Sequence, residues 1–121
     1  MRSLRSKRLP VRGSLPRCLS TSSTPAPKQT AINSVLIANR GEIAIRINRT
    51  AERMGIRATT VYTDVDAASW HASSGFQALA LGPSNAYLDG DKIIELAKKN
   101  GIQALHPGYG FLSENSKFAE K

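Results

Sequence analysis

The run from Val35 to Gly55 constrains this chain more than any other. It has four apolar residues, a polar turn, then an amphipathic stretch closed by glycine. Val35 to Ala38 show no polar alternation, as expected of a strand covered on both faces. Asn39, Arg40 and Gly41 form the turn. Asn39 is placed to accept from the backbone at Glu42 while Glu42 reaches back, which is capping-box chemistry. Ile43, Ile47, Ala51 and Met54 recur at helical spacing and are expected to share the inward face. Gly55 stands where a left-handed helix end is wanted. A strand feeding a helix through a glycine turn opens a doubly wound α/β domain.

Further elements of the same kind follow. Residues 56–63 are rich in β-branched side chains and read as a second strand, with Asp64, Val65 and Asp66 at its C-terminal end. Residues 67–74 read as one or two helical turns or an irregular connection. Residues 78–81 give a short third strand, ended by turn chemistry at residues 82–85. Asp89 is a cap for a second helix in which Ile93, Ile94 and Ala97 face inward, closed by Asn100 and Gly101. Residues 102–105 form a further strand, and a glycine-rich loop runs from His106 to Gly110. Ser113 is expected to cap a last helix with Phe118 inward. The chain stops about two turns into that helix, and some ninety residues of βαβ units make a small core. The parallel sheet is therefore expected to be incomplete at the C-terminus, in a piece of something longer.

Charge divides the chain. The first thirty residues hold seven Lys or Arg and no acid, while the other ninety-one hold ten basic and nine acidic residues. Most of the net charge of +8 thus sits in the leader, and the body has no basic stripe with interleaved aromatics. No nucleic-acid partner is expected. The leader is rich in Arg, Ser and Pro and lacks the apolar run of about 7–15 residues that a secretory signal needs. It fits a mitochondrial transit peptide, with matrix processing near Leu19 in Arg17-Cys18-Leu19-Ser20; the alternative is a basic tail of no consequence. Residues 1–31 are read as transit peptide and linker, and 32–121 as the domain. The single cysteine, Cys18, lies in the leader, so the body has no thiol chemistry. No stretch approaches the ~20 apolar residues of a membrane span.

Ligands of open α/β sheets sit outside the carboxyl ends of the strands. Three loops lie at that edge: Asn39 to Gly41, Asp64 to Asp66, and His106 to Gly110. The first offers backbone amides at a helix N-terminus, suited to an anion. The last lets its backbone approach a ligand closely and carries the ring and hydroxyl of Tyr109. Glu114 is expected in the first turn of the last helix, where the dipole favours its charge. Together these residues describe one wall of a cleft. The chain has neither a Gly-x-Gly-x-x-Gly nor a P-loop pattern. His71 and His106 have no ligand-spaced partner and read as hydrogen-bonded structural histidines, so no metal site is expected. Arg46, Arg49 and Arg53 line one stripe of the first helix. Periodicity leaves two readings: a solvated face, with Glu42 pairing Arg46, or a subunit contact.

Residues 35–44 with Arg46 and Arg49, the Tyr62-Thr-Asp-x-Asp66 segment, Tyr87-Leu88 before Ile93-Ile94, and above all His106-Pro-Gly-Tyr-Gly-Phe-Leu-Ser-Glu-Asn115 resemble the N-terminal subdomain of biotin carboxylase. That component is shared by acyl-CoA, pyruvate and urea carboxylases. The resemblance spans about residues 33–121. It implies a Rossmann-like domain preceding an ATP-grasp domain. The implied reaction uses ATP, Mg and bicarbonate to carboxylate biotin, with a carboxyltransferase (beta) subunit as partner and a homodimer formed through the first helix. It implies that Tyr109 and Gly110 border the biotin and bicarbonate pocket, that Glu114 holds basic groups there, and that Arg46 and Arg49 lie at a subunit interface. The segment from His71 to Ala78 departs from the family's His-Val-x-x-Ala-Asp-Glu-Ala by losing both acids. The lid, lysines and metal-binding carboxylates that grip ATP in the family, and its biotin-bearing Met-Lys-Met, do not occur in these 121 residues. No catalytic residue is therefore assigned, and the chain alone is expected to be inactive. The other reading is a non-catalytic module that docks on a full-length carboxylase.

Overall fold

The computed structural model describes residues 31–121. The expected transit peptide, Cys18 and the expected linker over residues 20–30 lie outside the described residues. Four strands, β1 (Ser34–Ile37), β2 (Arg57–Thr63), β3 (Gln77–Gly82) and β4 (Ala104–His106), form a parallel sheet in the order β3-β2-β1-β4. Four helices, α1 (Gly41–Arg53), α2 (His71–Ser74), α3 (Gly90–Lys99) and α4 (Ser116–Ala119), connect and flank them. The expected strands are all present, with ends shifted by one or two residues.

β1 is covered on both faces, as its unbroken apolar run requires. Leu36 and Ala38 pack with Val61, Leu81, Ile93 and Ala97. Ile37 points the other way, into Ala44, Ala51 and Ala58. Asp89 caps α3 as expected, its carboxylate accepting from Lys92 N at 3.1 Å. Ile93 and Ala97 are buried, and Ile94 is half-buried. α1 ends at Gly55, φ +74°, with Ile56 N donating to Ala51 O at 2.8 Å, the left-handed closure that glycine permits.

Three expectations need correction. The inward face of α1 is Ala44, Ile45, Asn48 and Ala51. Ile43 and Met54 stand outside, at 36% and 68% exposure, and Ile47 is half-buried. Small alanines let the helix lie close on Ile37 and Ala58, and Asn48 joins them because its amide donates to Ser74 O at 2.8 Å. The capping box does not form: Arg40 is the N-cap, without a side-chain cap. The last helix is capped by Asn115, which accepts from Phe118 N at 3.1 Å, and not by Ser113. Glu114 therefore precedes α4 instead of lying in its first turn. Phe118 does turn inward, against the Leu112 cluster.

The connection over residues 67–77 is set by Gly75. Phe76 N donates to Ala58 O at 2.8 Å, and a Cβ on Gly75 would stand 2.8 Å from the same oxygen. Gly75→Ala is expected to destabilise the full chain by about 2 kcal/mol through overpacking against backbone. Urea unfolding would read this as a lower midpoint. An unchanged midpoint would mean the close approach is unimportant.

Candidate functional site

The strand order turns back at β1, which has β2 on one side and β4 on the other. The carboxyl ends of β1 and β4 lie side by side, Ile37 opposite His106, and Ala38 N donates to His106 O at 2.9 Å. The turn after β1 and the loop after β4 therefore leave the sheet together, at its switch point.

Asn39, fully buried, joins them. Its Nδ2 donates to Pro107 O at 2.9 Å and to Tyr109 O at 2.7 Å. Its Oδ1 accepts from Arg40 N at 2.8 Å. Both carbonyls require a donor and the amide requires an acceptor, so chemistry fixes the orientation of the Asn39 amide. Gly108, between the two carbonyls, has φ +70°. A Cβ there would meet Asn39 Nδ2 at 2.7 Å and Ile43 Cγ2 at 3.0 Å. Past Gly110, Phe111 takes a left-handed φ of +47° and stacks on Tyr87, ring centroids 5.1 Å apart. Tyr109 stands between these anchors at 78% exposure.

A buried polar network lies behind the turn. Arg40 grips Asp66 with two nitrogens, Nε donating to Oδ2 at 2.8 Å. Tyr87 Oη donates to the same Oδ2 at 2.7 Å. Asp66 is buried while the Arg40 side chain is half exposed. The Arg40 hydrogen bonds hold the Asp66 carboxyl down to about 2, against burial, which acts the other way. Burial, then the carboxylate, pushes the Tyr87 phenol up. His71, 1% exposed, completes the group. Gly41 N donates to its Nδ1 at 3.2 Å, so the proton sits on Nε2, 3.2 Å from Val61 O and from Tyr87 Oη.

Burial pushes the His71 pKa down, with Arg40 adding to the effect and Asp66 and Val61 opposing it. As pH falls through 6.5 the unfolded chain takes up this proton before the folded one. Its contribution is therefore whole above that value and lost below it. The urea midpoint is expected to fall between about pH 7.5 and pH 5, with a smaller step in His71→Asn. Equal steps in the two proteins would exclude His71 as the cause.

The structure brings Asn39, Arg40, Gly41, Tyr109 and Gly110 to one edge. The amides of Arg40 and Gly41 are not free for an anion, because Asn39 and His71 accept from them. Glu114 is exposed in the turn before α4, and no hydrogen bond ties it to the other residues. Arg46 and Arg49 are exposed on α1, and the expected Glu42–Arg46 pair does not form; the ion pairs among the described residues are Arg40–Asp66 and Lys121–Asp91. His106 is exposed and accepts from Gly108 N at 3.0 Å. Sequence reasoning placed residues 64–66 at this edge but missed the Asp66–Tyr87–His71 network. Its members lie 5 to 21 positions apart, and no local pattern signals the pairing. No described helix is long and apolar enough to cross a membrane.

The family described as biotin carboxylase, N-terminal domain, matches residues 31–121. The chain is 50% identical over 109 residues to methylcrotonoyl-CoA carboxylase subunit alpha, mitochondrial, of Arabidopsis thaliana, covering 88% of this chain and 15% of that protein. It is 50% identical over 97 residues to the mitochondrial propionyl-CoA carboxylase alpha chain of Rattus norvegicus, covering 78% and 13%. The chain thus spans less than a sixth of the length of these relatives. Among solved structures it is similar to urea carboxylase of Kluyveromyces lactis, at 53% identity and TM-score 0.71, covering 74% of this chain and 8% of that one. It is also similar to the biotin carboxylase domain dimer of Hydrogenobacter thermophilus 2-oxoglutarate carboxylase, in complex with MgADP, ADP and bicarbonate. That match has 38% identity and TM-score 0.73, covering 76% and 21%.

Proposed function

The chain belongs to the biotin carboxylase N-terminal domain family, and on that premise we propose that it forms the N-terminal wall of a pocket where biotin is carboxylated at the expense of ATP. The observation that carries this reading is Tyr109: an exposed ring on a loop pinned at the switch point of the sheet. Such a ring fits a small heterocycle with an apolar face and polar edges. Tyr109 and Gly110 border biotin and bicarbonate, and Glu114 meets basic groups of the ATP-binding half. The triphosphate is not held at residues 39–41, where Arg40 is spent on Asp66 and Gly41 N on His71. Bound ATP and Mg supply the phosphoryl chemistry from another domain. The residues of this chain shape the pocket and orient biotin, so the chain alone turns over no ATP.

The parent enzyme in this proposal is an acyl-CoA carboxylase of the mitochondrial matrix that works with a carboxyltransferase (beta) subunit. A methylcrotonoyl-CoA enzyme comes first and a propionyl-CoA or pyruvate enzyme second. The leader composition and the mitochondrial relatives support this. A second reading rests on α1, whose exposed face sets Ile43 and Met54 beside Arg46 and Arg49. Apolar and arginine side chains together suit a protein contact, either a homodimer through this helix or docking of the chain as a non-catalytic module.

The test grafts residues 31–121 into Kluyveromyces lactis urea carboxylase in place of the matching segment. The graft is expected to keep bicarbonate- and biotin-dependent ATP turnover, and Tyr109→Ala to raise KM for free biotin about tenfold. ATP turnover by the 121-residue chain alone, or an unchanged KM in Tyr109→Ala, would overturn the proposal.

A further inference from the structure

We infer that Asn39 is a positioning residue: its buried amide clamps the 106–111 loop and so fixes where the Tyr109 ring stands. Its use in the pocket rests on the biotin reading above; the clamp itself does not. Asn39 spends both amide protons on carbonyls two residues apart, at 2.9 and 2.7 Å, and its oxygen on Arg40 N. No other side chain serves all three partners from this position. Aspartate has no proton for either carbonyl, glutamine is longer by a methylene, and leucine leaves both carbonyls unpaired. Gly108 is the counterpart. Any Cβ there would fall 2.7 Å from Asn39 Nδ2, so the clamp closes only over a glycine.

The far side of the loop is held independently. Ser113 N donates to Gly110 O at 2.9 Å, and Phe111 stacks on Tyr87, which is itself fixed by Asp66. Tyr109 is thus an exposed residue on a backbone fastened on both sides. A ring presented in this way is preorganised: its ligand need not also order the loop, and that cost is removed from binding. Position 39 lies two residues past β1, the central strand, so the clamp ties the ring closely to the most buried part of the sheet.

Two measurements decide this. In the full 121-residue chain, the backbone order parameters of residues 108–111 are expected near 0.85 and to fall below about 0.6 in Asn39→Asp, while those of β1 and β2 hold. Should Asn39→Asp not fold, Gly108→Ala leaves Asn39 in place, drives a methyl into its amide and is expected to loosen the same residues. An ordered loop in a folded Asn39→Asp protein, or in Gly108→Ala, overturns the clamp whatever binds there. In the carboxylase graft, Asn39→Asp is expected to raise KM for free biotin about tenfold, with kcat and KM for ATP changed less than about threefold. A loosened loop with an unchanged biotin KM keeps the clamp and overturns the biotin reading of Tyr109.

Discussion

Replacing Asp66 by alanine is expected to lower the unfolding free energy of the full chain by about 3 kcal/mol. The carboxylate is buried and accepts from Arg40 and Tyr87. Arg40, half exposed, can turn to water, but the Tyr87 hydroxyl, in a residue 2% exposed, is left without its acceptor. That orphaned group, together with the lost charge-assisted bonds, accounts for the magnitude. Asp66→Asn keeps the shape and one acceptor oxygen and is expected to cost about half as much. Acid gives a second readout. The folded pKa of Asp66 is depressed from 3.8 to about 2, so its contribution is present above 3.8 and lost as pH falls through the folded value. Discounted for the exposed guanidinium, it is ~1–2 kcal/mol. Urea midpoints at neutral pH and near pH 2 should therefore converge between wild type and Asp66→Asn. A constant gap between the two would show that the carboxylate's charge does not stabilise the fold.

Leu36→Ala is expected to cost about 3 kcal/mol, from lost burial and the cavity left behind. Leu36 is completely buried in the central strand, in register with Thr59 of β2 and Leu105 of β4. It packs with Val61, Leu81 and Ile93. Both neighbouring strands are hydrogen-bonded to β1, which limits collapse into the space. Single domains are stable by about 5–15 kcal/mol in all, so either substitution removes a large share. Denaturant unfolding with an unchanged m-value would assign the loss to the native state. Val35, half-buried on the opposite face, provides the control and should cost much less when truncated.

The errors of sequence reading on α1 have one cause. The expected stripe, Ile43, Ile47, Ala51 and Met54, and the observed one, Ala44, Ile45, Asn48 and Ala51, share Ala51 and the same helical period, and hydropathy alone favours the large Ile43, Ile47 and Met54. Against Ile37 and Ala58, which already fill the space between the layers, the helix sets the small Ala44 and Ala51, while Ile45 is buried as well. Asn39 shows the same conflict. Its local context is that of a cap, but carbonyls 68 and 70 positions away take its amide protons, and in that orientation its oxygen accepts from Arg40 N instead of from the helix, since a buried carbonyl without a donor costs more than an open cap.

Local order determined a good deal by itself. The unbroken apolar run of residues 35–38, the β-branched residues 56–63, the Asp89 cap and the glycines at positions 55 and 101 gave the α/β alternation, the parallel sheet and the edge where residues 39–41 and 106–110 emerge. Each is a short-range property of backbone sterics, capping or periodicity. Only the tertiary structure decided which stripe of α1 faces inward, that Asn39 holds the Tyr109 loop, and that Arg40, Asp66, Tyr87 and His71 form one network. Those outcomes depend on burying polar groups with their partners, and the partners are distant in the chain.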